Sequence, residues 1–386
     1  MTLRHERRRT PVRNGENRNK YGGDGYSNDS SDVSSDCGGD GSAIDQSLDP
    51  ARSAFTRIIT ICVLGTYRAP TPRLVDRIQL LRQVVAALTY RADWGPIDAV
   101  LLPGGYLHTG VQIGHLDSAQ RRIALEKTPL GRRMVEVSVA LDQVFPGAVL
   151  ITGIDSAALS RKLAGDQLVA AWQNGQLLGL TRKAFPVASE TKTRRTAVWV
   201  SPRDADDPSR CVLLPNGRKA VLLACYDAFA VRALKHPRFA NLSAIRLLGI
   251  DPSALANPSG ALRQQYLMRW ISFQKQQRPD LALVAIHHFD RPGRDGYWQR
   301  HGLAGASAAL GGRAIIGAAH FECALPKHGG ISPLAARDVP MRHLNQGTKR
   351  AAHRFRPSDS FTLVRTDGQP VALIRLFEIN HERNRS

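Results

Sequence analysis

Cys225 and Lys183 are the side chains in this chain of 386 residues whose types and placement suggest covalent chemistry. Cys225 follows the apolar run Ala220-Val221-Leu222-Leu223-Ala224 and precedes Tyr226-Asp227-Ala228-Phe229, the pattern of a buried strand breaking into a helix. A side chain at such an elbow projects from the sheet edge, and the backbone N–H groups that follow point the same way. Lys183 closes another strand, at the end of a hairpin that starts at Gln167. A thiol beside an ammonium is a nucleophile with an electrostatic partner, because the cation favours the thiolate. The bland readings are a strand cysteine acting as a small hydrophobe and a solvated strand-end lysine.

Other chemistry-bearing residues are less suggestive. Gly305-Ala306-Ser307-Ala308-Ala309 lacks the second glycine of a serine-hydrolase elbow and falls inside a helical pattern. His287-His288 with Asp290 is considered as a metal set, but neighbouring strand residues point to opposite faces, and no H-E-x-x-H or carboxylate ladder accompanies them. His301 and His320 read as packing or pocket residues. With no P-loop and no dinucleotide fingerprint, no cofactor and no metal is expected.

The elements that must position these groups alternate from residue 53 onward. Ile58 to Leu64 is a β-branched apolar run too short for a stable isolated helix and reads as a buried strand. Leu74, Ile78, Leu81, Val85 and Leu88 recur at spacings of four and three, which puts them on one helical face. Asp98 to Pro103 is the next strand, broken by Gly104-Gly105, and a polar loop follows. Thr128 and Pro129 form an N-cap and first-turn proline for a helix with Leu130, Met134, Val137, Leu141 and Val144 on its buried side. A strand over 148–151 comes next. Asn174-Gly175 and Asn216-Gly217 each separate two apolar runs, and both predict two-residue hairpins with positive φ at both central positions; Asp367-Gly368 repeats the device. A helix over about 259–276, a strand over 281–286, a helix after Trp298 that includes 303–310 and a strand over 313–318 follow, and 322–360 reads as a long irregular crossing. Strands feeding helices around central hairpins predict an α/β fold, an αββα sandwich of two mixed sheets.

Residues 1–52 differ in kind. They are poor in aliphatics and split into a basic block (Arg4, Arg7, Arg8, Arg9, Arg13, Arg18, Lys20) and an acidic stretch (Asp24 through Asp49). Such a segment buries too little apolar surface to offset its chain entropy and is expected to be a disordered tail before a single domain over 53–380. Neither a signal-peptide h-region nor a long apolar span is present, so a cytoplasmic protein with no membrane partner is expected. Five cysteines without C-x-x-C spacing give no disulfide framework and no zinc knuckle. The net charge of +20 does not exclude nucleic acid, but the arginines are scattered rather than gathered with aromatics, so nucleic acid is not expected as the main partner.

The order of these motifs resembles the nitrilase, or carbon–nitrogen hydrolase, superfamily over about residues 55–320. Leu223 to Phe229 is similar to its nucleophile strand and elbow, Arg182-Lys183-Ala184-Phe185-Pro186 with Glu190 to its lysine segment and second glutamate, and Trp298 with 307–317 to its tryptophan, helix and following strand. The resemblance implies an αββα fold, a glutamate–lysine–cysteine catalytic set, a small-molecule amide-type substrate and a homo-oligomer. It departs at the first motif. The family's base follows the proline ending the second strand, and here Pro103 is followed by Gly104, Gly105 and Tyr106. Two readings result. In one, Cys225 forms a thioester, Lys183 and the Tyr226 N–H hold the oxyanion, Glu190 or an unrecognised group takes over proton transfer, and Gly104, Tyr106 and Trp298 border the substrate; the favoured reading of Glu190 itself is an ion pair that only holds Lys183 in place. In the other, the fold is a catalytically inactive binding or regulatory module. Under the first, a Gly104→Glu change is expected to raise hydrolysis. His108 reads as an exposed loop histidine, and Asp98 as too far from the site.

Overall fold

In the computed structural model the first apolar run becomes a ten-residue strand, β1 (Phe55–Leu64), buried on both faces. The structure describes residues 54–64, 74–113, 116–157, 165–186, 201, 203–240, 242, 245, 247–248, 255–256, 259–289, 294–321, 331–336, 352–364, 366 and 368–381. The expected tail over 1–52 lies outside them. Strands β2 (Ala99–Leu101), β3 (Leu107–His108), β4 (Val149–Asp155), β5 (Gln167–Gln173) and β6 (Gln176–Arg182) build outward from β1 on one side. Strands β7 (Cys211–Leu213), β8 (Lys219–Ala224), β11 (Leu281–Phe289) and β12 (Ala314–Phe321) make a second layer. Between β8 and β11 lies a two-residue pair, β9 (Leu247–Leu248) with β10 (Leu255–Ala256). Strands β13 (Leu334–Ala336) and β14 (Ala352–Arg354) extend the second layer, while β15 (Asp359–Val364) and β16 (Pro370–Asn380) return to the first, β16 running antiparallel to β1 from Phe55↔Asn380 to Val63↔Ala372. The two layers join where Val63 pairs with His320 and Leu64 with Phe321.

Three apolar clusters show why the sheets stack. Along β1, Ile58 faces the second sheet, where it joins Leu101, Ile151 and Val169 against Leu222, Leu283 and Ile316. Its neighbour Ile59 faces the other way, as strand alternation requires, and joins a cluster with Ile78 and Leu81 of α1 (Leu74–Leu88) and Met134 and Leu141 of α3 (Pro129–Val144). The outer face of the second sheet, with Val221, Leu223, Val284 and Ile315, is covered by Leu267 and Trp270 of α5 (Gly260–Gln277) and Ala306 of α7 (Ala304–Ala309). Helix, sheet, sheet, helix is the expected αββα order, with parallel and antiparallel pairs in both sheets.

Local chemistry explains the boundaries. The Thr128 hydroxyl accepts the Gly131 N–H and Ser259 accepts from Leu262 N, as N-caps do. Asn174 and Gly175 take φ of 42° and 77°, the two-residue turn expected. The Asn216-Gly217 turn differs, since Gly217 alone of the pair has positive φ, at 74°. Pro215 pre-sets the first turn position, Gly217 N bonds Leu214 O, and Leu214 N bonds Arg218 O, giving a three-residue loop. The polar loop before Thr128 contains a helix, α2 (Ser118–Glu126), capped by Asp117; with Arg121 and Leu125 its buried residues, it carries no apolar stripe for sequence periodicity to reveal. The expected crossing over 322–360 contains β13, β14 and the start of β15; its other residues, apart from 331–333 and 355–358, lie outside the description. No helix among the described residues is long and apolar enough to cross a membrane.

Candidate active site

Four side-chain positions and a lysine meet at one sheet edge. Strands β2, β4, β8 and β11 are linked by parallel pairing within each layer, and their C-terminal ends deliver Gly104, Asp155, Cys225 and His287; such edges are where α/β sheets gather ligand-binding groups. Lys183 arrives there because β6 runs antiparallel to β5, which runs antiparallel to β4.

Cys225 is the first residue beyond β8 and takes φ of 48°, one of three non-glycine residues with positive φ among the described ones. A side chain held in this left-handed conformation is strained, a recurrent property of functional turns. Its N–H bonds Ala285 O at 2.9 Å, which pins the elbow to β11, and the short helix α4 (Asp227–Ala230) starts two residues later.

Lys183 is fully buried, its Nζ donating to Gln167 Oε1 at 2.8 Å and lying 5.6 Å from the Tyr226 ring centroid. The segment behind it is fastened to the elbow. The Asp227 carboxylate accepts the N–H groups of Ala184 (3.0 Å) and Phe185 (2.9 Å) and pairs with Arg210 Nη1 at 3.0 Å, all without solvent exposure of either charged side chain. From the helix side, Tyr266 of α5 donates its hydroxyl to Ala184 O at 2.9 Å and Trp270 packs edge-on against Phe185 at 5.1 Å. Arg182 pairs with Asp166 and with Asp204, so the lysine is flanked by neutralised charges.

The group that sequence reasoning missed is His287. Its Nε2 lies 3.0 Å from Asp155 Oδ1, and its side chain and backbone both act on the Cys225 thiol to favour the thiolate. His287 keeps the alternation of β11: Leu281, Leu283 and Ala285 face the space between the sheets, and position 287 follows on that face, where it meets Asp155 of β4. The electrostatic result shows in the two cysteines that flank β7 and β8. Burial raises the Cys211 thiol to about 11 against weak help from Arg210 and Lys219. Burial opposes the Cys225 thiolate as well, but the hydrogen bond from His287 and the charges of Lys183 and His287 outweigh it and carry that thiol below its ordinary value. His287 responds in kind. Burial opposes its charge, yet Asp155 and Cys225 push it up to about 10. Both shifts favour the charged forms, the thiolate on sulfur and the proton on imidazole.

Gly104 explains the geometry. A Cβ there would lie 2.7 Å from His287 Nδ1 and 2.7 Å from Ala285 O. The imidazole fills the space where a side chain at 104 would begin, and Gly104 N is bonded to Ile286 O at 2.9 Å, so the two strand ends are in direct backbone contact. A glutamate side chain at 104 would have to displace that imidazole.

The remaining expected site residues are distributed as follows. Tyr226 and Trp298 meet edge to face at 5.2 Å and, with Phe229 (4.8 Å from Trp298), form an aromatic wall beside Cys225. Tyr106 is buried, its hydroxyl donating to Arg77 O and its ring stacked on His320 at 6.1 Å. It is therefore packed away, not open to substrate. His108 is half-buried in β3 rather than exposed on a loop, paired in register with Asp155. Glu190 and Asp290 lie outside the described residues. Asp98 stands at the opposite edge, accepting the Arg57 N–H at 2.7 Å. The Ser307 hydroxyl donates to Arg313 O and accepts from Ala336 N inside a helix, a structural role. Among the described residues no group of three His, Cys, Asp or Glu is arranged to hold a metal.

No family model and no curated protein matches the chain. Solved structures do resemble it. A double mutant of the amidase from Nesterenkonia sp. AN1 in complex with acrylamide aligns over 84% of this chain and 91% of its own at 14% identity and a TM-score of 0.39. A glutamine-dependent NAD(+) synthetase from Cytophaga hutchinsonii covers 84% of this chain at 10% identity and a TM-score of 0.40, with 43% of its own length matched. An N-terminal amidase covers 60% at 15% identity and a TM-score of 0.33, with 47% of its length matched. The fold is nitrilase-like. That statement rests on the layer order and strand pairing above; overlaps this loose decide nothing about the reaction. This chain spans less than half the length of the synthetase and the N-terminal amidase.

Proposed function

We propose that the protein hydrolyses a non-peptide carbon–nitrogen bond of an amide-type small molecule through a Cys225 thioester. The observation that carries this reading is the thiol at a strained elbow, carried below its ordinary value despite burial, while Cys211 is driven the other way. A low thiol in reach of a cation marks a reactive rather than a structural cysteine. The thiolate attacks the carbonyl carbon. Charge developing on the oxygen is met by the Lys183 ammonium and the Tyr226 N–H, preorganised donors of the kind that act on tetrahedral intermediates. Collapse expels the amine and leaves the acyl group on sulfur. The wall of Tyr226, Phe229 and Trp298 supplies an apolar, partly exposed surface beside the sulfur and favours substrates with an apolar acyl or aryl group.

The inactive binding module was suggested by the glycine at 104. With an imidazole occupying that space against the sulfur, the glycine no longer favours it. Intact-mass spectrometry after incubation with p-nitrophenyl butyrate and with simple amides tests the proposal. The expected result is a single butyryl adduct that is lost in Cys225→Ala and kept in Cys211→Ala. No adduct with any acyl donor, together with no ammonia or amine release, sinks it.

A further inference from the structure

We infer that His287, held by Asp155, is the proton acceptor and donor of this reaction, standing in the space from which a carboxylate at position 104 would have reached the sulfur. The assignment rests on Cys225 being the nucleophile. Three independent features lead to it. The ring occupies the place of a Gly104 side chain, with Nδ1 2.7 Å from the Cβ position. Its far nitrogen is taken by Asp155 at 3.0 Å, which fixes the ring and leaves the other nitrogen for the sulfur. Two residues beyond Ala285, His287 falls on the inner face of β11, the face turned toward β4 and the edge that carries Gly104. A nucleophile, a base in hydrogen-bond reach and a third group orienting the base is the arrangement that covalent catalysis requires.

The proton inventory closes with this one imidazole. His287 takes the proton from Cys225 Sγ, and the thiolate forms the C–S bond while the carbonyl π pair moves to oxygen. When that pair returns, the C–N bond breaks and the imidazolium gives its proton to the departing amine. Water then adds to the thioester as His287 takes one of its protons; the C–S bond breaks and the imidazolium proton returns to sulfur. The sum is amide plus water giving acid plus amine. Asp155 touches no reacting atom and is a positioning residue. The other groups facing His287 do not compete for this role. His108 on β3 is held below its ordinary value by burial and by the charges of Arg77 and His287, against the pull of Asp155, and His320 on β12 is held well below its own, chiefly by burial. Lys183 and the adjacent His288 complete the surroundings, and the charge of the lysine acts on the sulfur.

The test is the pH dependence of Cys225 alkylation by iodoacetamide in the full chain, read by mass spectrometry in a Cys211→Ala background. An unperturbed thiol titrates near 8.5, so its thiolate fraction at pH 6 is about 0.3%. The thiol of the intact protein is expected to alkylate with a midpoint below that ordinary value. In His287→Gln the midpoint is expected to move up by about a unit or more, so that the rate at pH 6 falls about tenfold or more. In Asp155→Asn the midpoint shifts in the same direction by a smaller amount; a purely structural role for Asp155 would lower the melting temperature without moving that midpoint. Alkylation needs no acyl donor, so this outcome is read even where the acyl-trapping experiment fails. If His287→Gln and Asp155→Asn both keep the wild-type profile, the inference is overturned. Should His287→Gln not fold, an unmoved Asp155→Asn midpoint overturns it alone.

Discussion

Asp227→Asn removes one charge and no volume, and the structure sets the size of its effect. The carboxylate has no solvent exposure; it accepts two backbone N–H groups and one Arg210 nitrogen. The amide that replaces it can still accept at one oxygen, so at least one of those three donors loses its partner, and the Arg210 charge is left without an opposite charge. Arg210 retains Arg182 O at 2.7 Å, Asp204 O at 3.1 Å and the face of Trp270 at 4.9 Å, which soften but do not replace an ion pair. Removing one member of a fully buried pair typically costs ~3–5 kcal/mol, a large part of the ~5–15 kcal/mol that holds a typical domain together. Urea unfolding followed by tryptophan fluorescence gives the number. The partner experiment is Arg210→Met combined with Asp227→Asn, where no charge is stranded and the loss should be smaller than the sum of the two single changes. Because Asp227 also fastens the segment after Lys183, the surviving folded fraction should show slower acylation of Cys225. Strictly additive losses, or a single-variant cost under about 1 kcal/mol, would refute the claim that this pair clamps the two halves of the site together.

Two further outcomes follow from the same geometry. Gly104→Ala, with its Cβ forced against Ala285 O and the His287 ring, should cost ~1–3 kcal/mol as an overpacked position and push the Cys225 alkylation midpoint upward as the imidazole is displaced; an unchanged midpoint would mean that the ring does not depend on this glycine. Lys183→Met keeps the buried stem and deletes the charge, so butyryl transfer from p-nitrophenyl butyrate should slow by ~10²–10³-fold, the usual effect of losing one oxyanion donor. Stopped-flow release of p-nitrophenolate measures it, and a rate within threefold of the parent would remove Lys183 from the oxyanion site.

Much of the fold was legible because it is written in short-range signals. Apolar runs such as Ile58 to Leu64, the Thr128 cap and the Asn174-Gly175 turn each act within a few residues, and each forms where its local chemistry directs. Helix α2 escaped because its buried side is Arg121 and Leu125, so it shows no hydrophobic period. At the site, the elbow of Cys225 could be read from a strand meeting a helix, and the approach of Lys183 from a hairpin with a known turn. His287 could not. Its partners, Asp155 at the end of β4 and Cys225 after β8, come from strands far off in sequence, a relation between residues that local pattern does not encode. A signal was nevertheless present in the pairing of two oddities: a glycine where a base was due, and a histidine just past the end of a buried strand. Weighing it only with His288 and Asp290 as a metal ligand led to its dismissal.

Strand β1 lies near the middle of the first sheet, yet the neighbour that covers its whole length, β16, is made some three hundred residues later. At ribosomal speeds of ~5–20 residues per second, β1 waits on the order of 15–60 s with that row of backbone donors and acceptors uncovered. An uncovered apolar strand is a template for pairing with other chains. The growing polypeptide is thus open to self-association through the whole interval between the synthesis of β1 and that of β16.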